Sequence, residues 1–183
     1  KIDRQRAFSE YKHVTLAECI GTFLHNKAEA RNDREAMDDY RAIENLMYRY
    51  AFTLDAGDLK GVAELFRHGE IVAPAADSVV KGYDAVLDMY NNSTRLFDCG
   101  TPRTRHIISN VLIEAEGTTA KAQAYFTVVQ AAPGLPLQTI ISGHYKDSFE
   151  KHEGQWRFAR REMYPELFGD LSKHLLFDAA SIQ

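Results

Sequence analysis

Cysteine is scarce in this sequence: two residues, Cys19 and Cys99, among 183. They lack metal-like spacing, and reduced thiols in a cytoplasmic protein are the expectation. An excess of one charge is lacking too. Lysine and arginine total 22 against 26 acidic residues, for a net charge of −4, and both signs are mixed along the chain. That excludes the basic face a nucleic-acid binder needs. No uninterrupted apolar run approaches the ~20 residues that span a bilayer, so no membrane partner is expected. No signal peptide is visible from Lys1 onward. HxxxH, HExxH and clustered carboxylates are missing, so no metal is expected. GxGxxG and P-loop patterns are missing, which leaves a nucleotide cofactor unsupported. No nucleophile elbow supports a serine hydrolase. The expected cofactor is none.

What is present is an ordinary globular composition, 45% hydrophobic and 26% charged, at a length that suits one well-filled core. Residues 1–37 read as an N-terminal arm with some helix, around VTLAECIGTFL. Residues 38–55 are the clearest helix, with Ile43, Leu46, Met47, Tyr50 and Leu54 at three- and four-residue spacing. Gly57 can end it, and Asp58 can cap a following helix, LKGVAELF. A short strand near 70–74 and a helix over 83–97 come next. After Pro102, four strand-like runs follow, about 104–115, 119–132, 136–151 and 155–164, parted by turn residues. Helices followed by a strand meander predict an α+β domain. Residues 166–183 form an apolar C-terminal tail that has to dock on the sheet or on a partner chain.

Chemistry centres on Asp55 and His106. Asp55 ends an apolar-striped helix, at the unfavourable end of its dipole, with Tyr48 and Phe52 close to its own stripe. Such an acid needs a donor or a cation. His106, heading the run RTRHIISNVLIE, can supply the donor. An Asp–His pair fixes one ring tautomer and makes the far nitrogen a stronger base. The plainer alternatives are a turn-entry Asp bonded to backbone amides and a strand histidine satisfied by a carbonyl. Alternation puts Thr104, His106, Ile108, Asn110 and Leu112 on one strand face. Tyr50, on the apolar helix face, needs a partner for its hydroxyl and can donate to a substrate oxygen. Tyr145 alternates with Ile141, Gly143 and Phe149 and can line the same cavity, or simply pack. For Arg161, the pocket and a surface acid are both open. His144 is expected to face away from Tyr145. His13, His25, His68, His152 and His174 sit in turns or terminal segments and look weaker.

The segments YRYAFTLDAGDLKGVAELF, TRHIISNVLIE and GHYKDSFEKHEGQWRFARR resemble the nuclear transport factor 2-like superfamily, in its SnoaL-like branch, over about residues 38–165. The resemblance implies a cone-shaped barrel. Its strongly curved mixed or antiparallel sheet would wrap the N-terminal helices around an internal apolar pocket. It also bears on the site. The hexachlorocyclohexane dehydrochlorinase and scytalone dehydratase patterns each place an Asp and a His at positions matching Asp55 and His106. The dehydrochlorinase's pocket lysine falls at Tyr50. The dehydratase's second histidine has no counterpart in KAQAYFTVV. Steroid Δ-isomerase matches Tyr50 as its oxyanion-hole tyrosine, but its catalytic aspartate falls near Pro74, where no acid stands.

The reading implied is a cofactor-free lyase or isomerase. His106 abstracts a proton from a small, apolar, cyclic substrate, Asp55 steadies the imidazolium, and Tyr50 bonds a substrate oxygen. Tyr145, Leu54, Ile108, Phe126, Val128, Ile141 and Arg161 are the expected substrate-binding residues. A non-catalytic small-ligand binder, or a structural subunit like the small subunit of ring-hydroxylating dioxygenases, are the alternatives. Self-association as a homodimer or homotrimer is expected.

Overall fold

The computed structural model describes residues 16–177. The readings of residues 1–15, His13 included, and of 178–183 fall outside the described residues, as does the side chain of Cys19. The chain divides into two compact units, Lys1–Asp38 and Asp39–Gln183. Helix α1 spans Leu16–Asp55, longer than the helix expected over 38–55. All that follows concerns the second unit.

Helices α2 (Leu59–Leu65) and α3 (Gly82–Ser93) flank a short hairpin of β1 (Glu70–Ala73) and β2 (Ser78–Lys81). Four long strands follow: β3 (Thr104–Glu116), β4 (Thr119–Ala132), β5 (Leu135–His152) and β6 (Gln155–Phe168). The six strands form one sheet in the order β2-β1-β6-β5-β4-β3, with β1 parallel to β6 and every other pair antiparallel. The sheet is curved and not closed on itself, and this α+β arrangement with a curved mixed sheet is the fold class expected. β2 was not foreseen, because a four-residue strand carries too little alternation to read. β6 runs on to Phe168, so the first residues of the expected tail belong to the sheet.

The core follows the helical spacing. Ile43, Met47, Tyr50 and Leu54 of α1 are buried against Phe66, Val86, Phe126, Val128, Tyr145, Phe149 and Phe158. Tyr48 and Phe52 turn away from Asp55: Phe52 is exposed and Tyr48 donates to Glu44 at 2.9 Å.

The turn that ends α1 sets the position of Asp55. Gly57 takes a φ of 77°, its N–H donates to the Leu54 carbonyl at 2.9 Å, and Asp58 then caps α2 by accepting from the Gly61 N–H at 2.8 Å. A Cβ on Gly57 would stand 2.0 Å from the Gly100 carbonyl oxygen, a backbone atom with no rotamer to yield. Gly57→Ala therefore combines left-handed strain with overpacking, and a loss of roughly 2–4 kcal/mol is expected. A urea midpoint unchanged from wild type would refute this account of the turn.

Strand β3 is not continuous in its facing. Asn110 has a φ of 55°, and the register against β4 shifts between Ser109 and Leu112. This bulge turns the strand over. Thr104, His106 and Ile108 face the core as expected, but Asn110 and Leu112 are exposed, and Val111, Ile113 and Ala115 pack inward instead. A one-residue insertion breaks the alternation on which the expected face rested.

Candidate functional site

Asp55 and His106 meet. The His106 Nδ1 lies 2.6 Å from Asp55 Oδ1, with only 6% and 10% of the two side chains exposed. The carboxylate takes two further bonds, from the Thr104 hydroxyl to Oδ1 at 2.7 Å and from the His106 backbone N–H to Oδ2 at 2.8 Å. These donors answer the unfavourable helix end at which Asp55 sits. Burial works against its charge. The hydrogen bond and charge of His106, its backbone N–H and Thr104 outweigh that, and the carboxyl titrates below its ordinary value. An ionised carboxylate can only accept, so His106 Nδ1 must carry the proton. Nε2 is then the unprotonated nitrogen, and among the described residues no protein group bonds it.

Tyr50 stands beside this pair. Its ring meets the His106 ring edge-on at 6.4 Å and the Tyr145 ring at 6.1 Å. Its hydroxyl is 2.7 Å from the hydroxyl of Tyr90 on α3. Burial, then the neighbouring Tyr50, hold the Tyr90 and Tyr145 phenols well above their ordinary value, so both stay neutral. Of the expected lining residues, Leu54, Phe126, Val128 and Tyr145 are buried in the core, and Ile108 and Ile141 pack half-buried against it. Phe126 stacks on Tyr145 at 4.4 Å.

Arg161 lies beneath the tyrosines. It is fully buried and bonds Asp147 with both arms, Nε to Oδ1 at 2.9 Å and Nη2 to Oδ2 at 2.6 Å. Its guanidinium lies 4.1 Å from the ring centre of Tyr145, 4.3 Å from that of Tyr50 and 4.8 Å from that of Phe158. Burial works against this cation, and the Asp147 charge outweighs burial and holds it protonated. The Arg161 Nη1 is buried without a hydrogen-bond partner. So the surface-acid alternative for Arg161 does not hold. The sequence reading missed Asp147, although it shares the inward alternation of Tyr145 and Phe149, and a charge in such a row was the available signal.

His174 was also passed over. It is buried enough to be held neutral down to about pH 4, by desolvation first and then by the charge of His106, with Asp55 opposing. The sign for stability follows directly. The unfolded chain protonates this histidine near 6.5 and the native chain only near 4, so the unfolded chain binds more protons between those values. Stability is expected to fall as pH drops through that window. Asp55, with its lowered value, adds its loss only at more acid pH. His174→Phe should flatten the first fall, read by urea midpoints at pH 7 and pH 4.5. An equal fall in the variant would contradict the assignment.

The other histidines behave differently. His144 lies across the sheet from Tyr145's face, stacks on Tyr164 at 4.6 Å and approaches Glu166 at 3.2 Å. It lines an open groove of about 530 Å³ with Asn110, Leu112, Gln123, Tyr125 and Glu166. That groove lies away from the Asp55–His106 pair. Among the described residues, no three His, Cys, Asp or Glu side chains gather as a metal site, and no helix is long and apolar enough to cross a membrane.

A model of the SnoaL-like domain matches residues 35–162. No curated protein matches the chain. Among solved structures, a variant of Rv3472 from Mycobacterium tuberculosis, of unknown function, is 26% identical with a TM-score of 0.61, covering 73% of this chain and 75% of that one. A protein from Novosphingobium aromaticivorans provisionally termed a scytalone dehydratase is also 26% identical, with a TM-score of 0.62, covering 75% and 91%. Hexachlorocyclohexane dehydrochlorinase LinA-type3 from Novosphingobium barchaimii shares the fold, with a TM-score of 0.60 at 19% identity, covering 75% and 92%.

Proposed function

Since this chain belongs to the SnoaL-like domain family, we propose that it is a cofactor-free lyase or isomerase in which His106 removes a proton from a carbon of a small ring substrate. The observation that carries this reading is the 2.6 Å bond from His106 Nδ1 to a carboxylate that also takes the Thr104 hydroxyl and the His106 backbone N–H. Three donors on one acid fix the ring, and Nε2 is left as the base.

In the elimination form, the C–H electron pair becomes a C=C bond and the group on the neighbouring carbon leaves with its own pair. A departing hydroxide takes the proton back from the imidazolium as water; a departing halide leaves it to solvent. Asp55 stabilises the imidazolium in between. Tyr50 is the donor for a substrate oxygen, and Arg161 holds the Tyr50 and Tyr145 rings from below.

The test is a panel of β-hydroxy cyclohexanones and chlorinated cyclohexanes, with alkene products followed by mass spectrometry. Wild type is expected to turn over members of one set, and His106→Gln to lose about 10²–10⁴-fold. An inert wild type, or a His106→Gln protein of full activity, would overturn the reading.

A further inference from the structure

The outer face of the sheet, away from the core, is opened by the bulge in β3. Ser109 pairs with Tyr125 and Leu112 with Gln123, so Asn110 and Val111 face no β4 residue and Ala124 faces no β3 residue. A bulge leaves its extra residue outside the ladder and bends the strand. The gap is part of the groove of about 530 Å³, which runs from Asn110 and Leu112 over Gln123 and Tyr125 to His144 and Glu166. Small-molecule sites span roughly 300–1,000 Å³, so the groove has room for one. The His144 ring is held flat against Tyr164, with 4.6 Å between ring centres and 6° between planes, and its Nδ1 is 3.2 Å from Glu166 Oε1.

The neighbouring charges on this face are matched. Glu162 accepts from Arg160 Nε at 2.8 Å and from the Tyr164 hydroxyl at 2.5 Å. Lys146 stands 5.0 Å from the Tyr164 ring centre and faces Glu162 across the ladder. Glu166 is different. Its side chain is 53% exposed, and among the described residues its carboxylate pairs with His144 and with no lysine or arginine. It is the one acid lining the groove, and neither lysine nor arginine lines it. The walls are apolar and aromatic: Leu112 is 70% and Tyr125 56% exposed. A carboxylate without a cation, beside an aromatic face and an aliphatic wall, complements an ammonium group on an apolar body. The amides of Asn110 and Gln123 are neutral and leave that charge balance unaltered.

We propose that this groove is a second ligand site, which takes a small primary amine with an aromatic body. The ammonium donates to Glu166, which His144 holds in place, and the body lies along Leu112 and Tyr125. The site shares no residue with the Asp55–His106 pair, so the inference stands or falls apart from the lyase reading.

The test uses the whole chain at low ionic strength and two probes of one shape, 2-phenylethylamine and the uncharged 2-phenylethanol. Binding is read by NMR of protein labelled at histidine and tyrosine. Wild type is expected to bind the amine at least fivefold more tightly than the alcohol, with the His144 and Tyr125 signals moving and the His106 signals still. Glu166→Gln, at a half-exposed position, should fold and erase the preference. Tyr125→Leu keeps the acid and should weaken the amine severalfold, which covers the case in which the glutamine variant does not fold. His106→Gln should keep the full preference. Equal affinities in wild type, a preference that survives in Glu166→Gln, signals that move at His106 in place of His144, or binding of neither probe would overturn the inference. So would sedimentation showing a second copy of the chain seated on the groove, with His144 protected at every concentration.

Discussion

Asp147→Asn is expected to cost roughly 3–5 kcal/mol of stability, although it changes one atom of a side chain. The pair it breaks has no solvent to fall back on: neither Asp147 nor Arg161 is exposed. The guanidinium cannot shed its proton, so the variant leaves a full positive charge among Tyr50, Tyr145 and Phe158. Arg161→Met should cost less at acid pH than at neutral pH, because burial already raises the Asp147 carboxyl above its ordinary value and the orphaned acid can neutralise itself. Replacing both, as Asp147→Leu with Arg161→Met, should recover most of the loss, since two apolar groups need no partners. Urea midpoints at constant slope measure all three. A loss below about 1 kcal/mol in Asp147→Asn would mean that water reaches the pair.

The same pair explains why a buried charge is kept so near the site. Arg161 packs its flat guanidinium against the rings of Tyr50 and Tyr145, and Tyr50 in turn meets His106 edge-on. The double variant is therefore expected to fold well and still lose activity, because Tyr50 would lose the cation beneath its ring. Stability and activity separate in that protein, whereas they fall together in Asp147→Asn.

How far the site was legible before the structure depended on the range of the forces involved. Asp55 could be read because its helix has clean spacing, with Ile43, Met47, Tyr50 and Leu54 all buried. His106 could be read because it precedes the bulge, where alternation still holds. Beyond Asn110 the same rule pointed the wrong way, since a single left-handed residue reverses every later side chain. Asp147 and Arg161 are directly opposite in the sheet, but that pairing comes from the β5–β6 register, which no local pattern announces. His174 was the least legible. Its carbonyl accepts from the Arg95 N–H, and its neighbours Lys173 and Leu176 are held by Gln130 and Ser93, residues far away in sequence that only the fold brings to the tail.

Asp55→Asn is expected to lower kcat about 10³–10⁴-fold while the protein stays folded. The carboxylate accepts three bonds: Oδ1 from the Thr104 hydroxyl and the His106 ring, Oδ2 from the His106 backbone N–H. An asparagine keeps one acceptor and presents an NH₂ group in place of the other. The backbone N–H cannot be rearranged, so the amide oxygen turns to it and the NH₂ turns to the ring. His106 must then accept at Nδ1 and carry its proton on Nε2, the nitrogen that was to act as base. The loss of rate thus comes from the wrong tautomer rather than from a lost fold. Asp55→Ala differs, because it strands three donors and should destabilise the protein by a few kcal/mol as well. Nitrogen-15 NMR of His106 reads the tautomer without any substrate: a proton on Nδ1 in wild type, on Nε2 in Asp55→Asn. A variant that keeps the Nδ1 proton yet loses activity would show that the charge of Asp55, not its orientation of the ring, drives the proton transfer. One that changes tautomer and keeps its rate would remove His106 from the role of base.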